Sequence, residues 1–318
     1  MKSLPFSRTQ ISLTATILVF AALYGLASWR YDGFASRGVF VALLGDNAFL
    51  GLAAVGATFV ILSGGIDLSV GAVIGFVNIF VAWLITTHGI HPLAAFALAL
   101  LFGVTLGAGM GFLIHRFLLP PFLVTLAGMF LARGLAFVIS LDAIPIDNPF
   151  FGSLTGWQTF PATATVFLIV LVLAALLGRY TAFGRAVFAI GGNEHSARLM
   201  GVPVGRMKVA IYALSGLCSA LAGIVYTLYT SAGNASSGVG TELDAIAATV
   251  IGGTLLTGGV GSFFGTFFGV LILGVIQTAI TFEGTLSSWY ARIAIGGLLL
   301  VFILLQRFIH SRGLRASH

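Results

Sequence analysis

Charge is what this sequence has least of. Only 8% of its 318 residues are Asp, Glu, Lys or Arg, against about 25% in a soluble domain, which excludes a water-facing surface over most of the chain. Lysine is almost missing. Lys2 and Lys208 are the only two, and neither completes the G-x-x-x-x-G-K-[ST] loop that cradles nucleotide phosphates, so ATP is not bound by that device. A single cysteine, Cys218, excludes an intrachain disulfide. The histidines do not pair at ligand spacing with Cys or carboxylates: His88 and His91 flank a predicted loop, and His310 and His318 lie in the tail, so no metal set is expected. The net charge of +6 is no sign of nucleic acid, because the basic residues lie mostly between apolar runs.

What the chain does have is hydrophobic length. Apolar residues make up 58% and the mean hydropathy is +1.09. The runs of roughly 17 to 25 residues fit helices crossing a hydrocarbon core of about 30 Å, whereas barrel strands alternate over about ten. The expected fold is therefore all-α and polytopic. Ten spans are predicted: Ile11 to Ser28, Val39 to Leu62, Leu68 to Thr87, Pro92 to Ile114, Pro121 to Ser140, Ala162 to Leu177, Val209 to Thr230, Thr241 to Val260, Phe263 to Thr281 and Trp289 to Leu305. The eighth is the weakest, short and broken by glycine, with the character of a half-helix. The first follows Lys2 and Arg8 and ends near Gly25-Leu26-Ala27, which imitates a secretion signal. Signal cores are shorter, and the run reads as a retained first span.

Basic loops collect on the cytoplasmic side of a membrane. With the amino terminus inside, that side receives Lys2 and Arg8, His115 and Arg116, the Arg179 to Lys208 loop, and Arg307, Arg312 and Arg315. The outer side receives Asp142, Asp147, Glu242, Asp244 and Glu283, and only Arg30 and Arg37 run against the rule. Both termini are thus expected inside. Residues 1–318 form one membrane domain with a cytoplasmic loop at about 178–208.

Glycine is abundant, 42 residues. Gly103, Gly107 and Gly111 fall four apart, as do Gly261, Gly265 and Gly269, which places small residues on one helix face for close packing. Ile61 to Gly75 also aligns without gaps to Leu255 to Gly269, mostly through its glycines. That echo predicts two similar helix breaks at one membrane face, the kind of discontinuity transporters use at their sites.

Polar groups inside apolar runs are few. Asp67 sits in the break after the second span, where an acid caps the following helix or serves a path. Arg133, two thirds through the fifth span, is expected to pair with Asp142 or Asp244, or to act in gating. Arg292 is read as snorkelling. Asn47, Asn78 and Gln277 are either helix glue or path lining. Gly45-Asp46-Asn47 interrupts the second span and predicts a kink. In the polar loop, Asn193 to Met200 reads as a short helix with Asn193 as N-cap, Glu194 in its first turn and Arg198 near its last. Its apolar members Ala197, Leu199 and Met200 suit a partner's groove, and Arg185, Arg198 and Arg206 equally suit anionic lipid headgroups.

Four stretches, Thr58 to Gly71 (TFVILSGGIDLSVG), Val124 to Gly134 (VTLAGMFLARG), Phe188 to Val202 (FAIGGNEHSARLMGV) and Leu243 to Ser262 (LDAIAATVIGGTLLTGGVGS), closely resemble the permease subunits of bacterial ribose-type sugar ABC importers. With IPIDNP at Ile144 to Pro149 and FEGTLSSWY at Phe282 to Tyr290, the nearest likeness is to a galactofuranose importer's permease. The resemblance implies a bacterial inner-membrane protein that is not an enzyme and carries no cofactor. A partner ATPase binds ATP and Mg, a second permease chain makes a heterodimer, and a periplasmic sugar-binding protein delivers the solute. It also implies that Arg185, Gly191, Gly192, Asn193, Glu194 and Arg198 contact the ATPase. Asn47, Asp67, Asn78 and Gln277 remain the candidates for the path, and Asp142, Asp147, Glu242 and Glu283 those for docking the binding protein. The competing expectations are an ion-coupled secondary transporter, for which Asp67 is the clear interior acid, and a membrane enzyme, for which Asp142 and Asp147 are the sole pair.

Overall fold

Proline and glycine set where the helices begin and end. The computed structural model describes residues 8–155, 161–287 and 289–315; Lys2 and His318 lie outside them. Pro92 opens α5 (Pro92–Arg116) and Pro121 opens α6 (Pro121–Ile139), where a missing N–H costs nothing. α1 (Arg8–Arg30) is followed by α2 (Arg37–Asp46), whose Ser36 cap accepts from the Val39 N–H. α2 and α3 (Ala48–Leu62) meet at a 51° bend, so the interruption expected at Gly45-Asp46-Asn47 is present. Asn47 donates from Nδ2 to the Leu43 carbonyl at 2.8 Å, restoring part of what the bend takes from the backbone ladder.

The remaining helices are α4 (Val70–Thr86), α7 (Pro149–Thr155), α8 (Ala162–Tyr180), α9 (Ala182–Gly192), α10 (Glu194–Leu199), α11 (Val204–Thr230), α12 (Thr241–Ile251), α13 (Phe263–Glu283) and α14 (Trp289–Arg315). Two-residue strands β1 (Ile144–Pro145) and β2 (Ala232–Gly233) pair antiparallel, tying the α6–α7 and α11–α12 connections together. The all-helical polytopic expectation holds. Among the described residues six helices are long and apolar enough to cross a membrane, or seven if the bent pair is one span. The predicted ten is not reached by that measure. α12 stops at Ile251, ahead of Gly252 and Gly253, with φ +93° at Gly253. Eleven residues reach only about 16 Å.

α3 is the hub. Its residues are apolar all round and nearly all buried, packed chiefly by α11, α12 and α8. The four-residue glycine rows do what their spacing predicts. A Cβ at Gly103, Gly107 or Gly111 would run into α11, at Gly216, Tyr212 and Val209 respectively, and one at Gly265 or Gly269 into Gly252 and Ala248 of the α12 end.

The two echoed segments meet. The α3–α4 break places Gly64 at φ +79°, and the α12–α13 break places the aligned Gly258 at φ +84°. A Cβ on Gly258 would lie 2.8 Å from the Gly64 nitrogen, and the Gly259 N–H donates to the Leu62 carbonyl at 2.9 Å.

One end of the molecule carries the α5 terminus with His115 and Arg116, the α8 terminus with Arg179, and α9, α10 and Lys208. The opposite end carries Arg30 with Glu283, the β1–β2 pair and Thr86, which donates to the Pro145 carbonyl. Arg30, which ran against the charge rule, stands 3.7 Å from Glu283 and so has an acid on its own side.

Candidate functional site

The polar loop folds as α9 and α10, each opened by a side-chain cap. Thr181 accepts from the Gly184 N–H at 3.2 Å, and Asn193 Oδ1 accepts from the Ser196 N–H at 2.8 Å, as an N-cap there predicts. Glu194 accepts from Lys208 at 2.8 Å and pairs with Arg198 at 3.3 Å, pinning α10 to the start of α11. Ala197 is buried against Ile190 and Val204. Leu199 and Met200 point outward, 76% and 71% exposed, with Arg198 exposed beside them in the chain and Arg185 exposed on α9. Apolar side chains so exposed amid cations form a surface made for contact.

Gly191 and Gly192 are not equivalent. A Cβ at Gly191 would strike the Leu62 carbonyl and the Gly259 nitrogen, while one at Gly192 meets nothing within 4 Å. The end of α9 is thus wedged, backbone to backbone, into the junction of the two helix breaks. Spacing in the sequence carries no signal for this contact.

Three of the four path candidates lie in the dry interior with their polar atoms engaged. Asp67 is 3% exposed. Its Oδ1 accepts from the Ser69 N–H and Oγ, and its Oδ2 from Ser215 Oγ at 2.7 Å. Asn78 is fully buried: Nδ2 donates to Thr227 Oγ1 and the Ala232 carbonyl, and Oδ1 accepts from the Asn234 N–H at 2.7 Å. Asn47 is held at the α2–α3 bend against Gly274. Arg133 does not pair with Asp142 or Asp244. It donates to the carbonyls of Ala235 (2.7 Å), Ser237 (2.6 Å) and Gly71 (3.3 Å). Together Arg133 and Asn78 fasten the 232–237 segment to α4, because a segment without helical bonds leaves carbonyls that a half-buried guanidinium can satisfy.

Gln277 differs. It is exposed and lines a cavity of about 490 Å³ with Asp244, Thr281 and Arg292, at the end of the molecule opposite α10. α12, α13 and α14 supply the walls, with Ile280 and Ile295 as apolar surface. Asp244 and Arg292 are brought together only by the fold, since one opens α12 and the other opens α14. Of the docking candidates, Asp142 and Asp147 are exposed on the strand connection. Glu283 accepts from the Tyr31 hydroxyl at 2.7 Å, which holds the Tyr31 phenol above its ordinary pKa. Glu242 is carried inward, against Gly71. No group of His, Cys, Asp and Glu suited to a metal occurs among the described residues.

The chain is similar to known proteins. A family described as branched-chain amino acid transport system / permease component matches residues 39–304. The chain is 50% identical over 307 residues to the inner membrane ABC transporter permease protein YjfF of Escherichia coli strain K12, covering 94% of this chain and 93% of that one. The ribose import permease protein RbsC of Bacillus subtilis strain 168 is 42% identical, with 83% of each chain covered, and the fructose import permease protein FruG of Bifidobacterium longum is 35% identical, with 98% and 95% covered.

The chain belongs to the permease family of ribose-type ABC importers. No solved structure matches it. The permease is a multi-pass inner-membrane transport protein and not an enzyme. Permeases of this kind carry no cofactor, nucleotide being bound by a partner ATPase, in keeping with the missing P-loop.

Proposed function

We propose that the permease forms half of the path by which an ATP-driven importer moves a monosaccharide inward, with ten passes and both termini in the cytoplasm. The collection of Arg116, Arg179, Arg185, Arg198 and Lys208 at one end and of exposed Asp142 and Asp147 at the other supports that orientation. A partner ATPase seats on Leu199, Met200 and the flanking arginines, with Gly191, Gly192, Asn193 and Glu194 shaping the seat. A second, homologous permease chain completes a heterodimer, and a periplasmic binding protein docks over Asp142 and Asp147. The solute is a small sugar of the kind the relatives' names mention, fructose or ribose, or galactofuranose.

The observation that carries this reading is the wedge of Gly191 between Leu62 and Gly259. Closure of the ATPase displaces α9 and α10. Because the contact is backbone on backbone, the displacement cannot be absorbed by side-chain rotation and passes to both helix breaks, biasing inward- against outward-open states. Asp67, the interior acid that an ion-coupled mechanism would use, has both oxygens already taken by serine donors.

The test is affinity purification from native membranes together with uptake in vesicles. Co-elution of an ATPase and ATP-dependent sugar uptake are expected, both lost in a Leu199→Asp, Met200→Asp double variant that still inserts. A lone chain with uptake driven by an ion gradient would sink the reading.

A further inference from the structure

We infer that the cavity between α12, α13 and α14 is a binding half-site for a neutral polyhydroxylated solute in transit, with Asp244, Gln277 and Arg292 as its recognition groups; this rests on the importer reading above. Polar side chains that line a cavity and are not used by the protein are the ones a solute can bond. Gln277 and Arg292 are exposed and Asp244 is half-buried. Among the described residues no hydrogen bond engages the Asp244 carboxylate, the Gln277 amide or the Arg292 guanidinium. Asp244 feels the attraction of Arg292 without forming an ion pair within 4.0 Å. Arg292 instead lies over the Trp289 ring, 5.5 Å from its centre. Thr281 donates to the Gln277 backbone carbonyl, within the helix, and its oxygen can still accept.

The chemistry of the set selects the ligand. A carboxylate only accepts, a guanidinium only donates, and an amide does both. Sugar hydroxyls do both as well, so adjacent hydroxyls can bridge planar groups in pairs. The opposite charges leave the cavity without net charge, which favours a neutral solute over an anion or a cation. Its volume, about 490 Å³, lies within the roughly 300–1,000 Å³ of small-molecule sites. Gln277 stands six residues before the end of α13, about 9 Å below it, so the cavity forms an outer vestibule rather than a through channel. Gly284 and Leu286 of the α13–α14 connection and Ala291 of α14 complete its lining. A second permease chain laid over its mouth would close it.

The experiment uses the assembled importer in lipid nanodiscs, without its binding protein. Titrations follow the fluorescence of Trp289 with D-ribose, D-fructose, D-galactose and L-leucine, with Trp289→Phe as the blank. A saturable change with at least one sugar is expected, lost in Asp244→Asn/Arg292→Gln. In vesicles supplied with saturated binding protein, Arg292→Gln is expected to lower the uptake rate by about tenfold, the worth of one charge-assisted hydrogen bond, and Gln277→Leu by about fivefold, the worth of a neutral one. Thermal stability should stay unchanged, and Arg292→Lys should recover part of the rate. Saturation by leucine alone, or wild-type uptake in both Arg292→Gln and Gln277→Leu while the wild-type importer still moves sugar, overturns the half-site and leaves the importer reading standing. Absence of ATP-dependent sugar uptake by the wild-type importer overturns both.

Discussion

The interior around α3 and α4 and the flank formed by α12, α13 and α14 hold the same kinds of side chain, an acid, amides and an arginine, and use them in opposite ways. In the interior every one is satisfied: Asp67 by serines, Asn78 by a threonine and the 232–234 backbone, Asn47 by Leu43, Arg133 by three carbonyls. On the flank Asp244, Gln277 and Arg292 share a cavity, and among the described residues no hydrogen bond engages their side chains. A polar residue inside a membrane protein is therefore no marker of the solute path. Satisfied polarity holds irregular backbone in place, and unsatisfied polarity beside open space is what a solute can use.

The sharpest way to break this contrast is Asp67→Ala. It strands two hydroxyls and an N–H in the core, and a loss of about 3 kcal/mol is expected, since hydrogen bonds to a charged group are worth roughly 1.5–3 kcal/mol each and the stranded groups find partial substitutes. Denaturation in detergent measures it, and an unchanged midpoint would mean that Asp67 is not structural. Asn78→Leu comes next, at about 2 kcal/mol, because interhelical bonds in membranes average nearer 0.6–2 kcal/mol. Faster proteolysis or hydrogen exchange in the 232–237 segment should accompany it.

Gly191→Ala is expected to cost about 1–2 kcal/mol by overpacking and to slow transport. Gly192→Ala, which has room for its methyl, should change stability little and transport less than its neighbour does. Equal behaviour of the pair would remove the wedge from the coupling route. The smallest stability effect belongs to the flank: Gln277→Leu should stay within about 0.5 kcal/mol of wild type. A large destabilisation there would place Gln277 with the interior clamps.

Much of the fold was legible in the sequence because membrane insertion acts on local properties. Run length, prolines at helix starts, the Asn193 cap, the bend at Asn47 and the glycine rows are all read from neighbours a few residues apart. The echo between Ile61 to Gly75 and Leu255 to Gly269 was visible through its glycines, yet nothing in it told that the two breaks touch. Arg133 was misassigned for a similar reason. Carbonyls have no signature in a sequence, so an arginine bonded to backbone looks the same as one awaiting an acid. Arg292 was passed over because snorkelling accounts for any arginine at a span's end.

By itself, then, the sequence determined the class, the starts of most long helices and the family, since hydropathy and helix punctuation are sums over adjacent residues. Which polar groups are spent on the scaffold and which stay open to a solute was decided only by tertiary structure. Satisfaction of a hydrogen bond depends on where distant segments come to lie, as Asp67 depends on Ser215 and Asp244 stands across a cavity from Arg292.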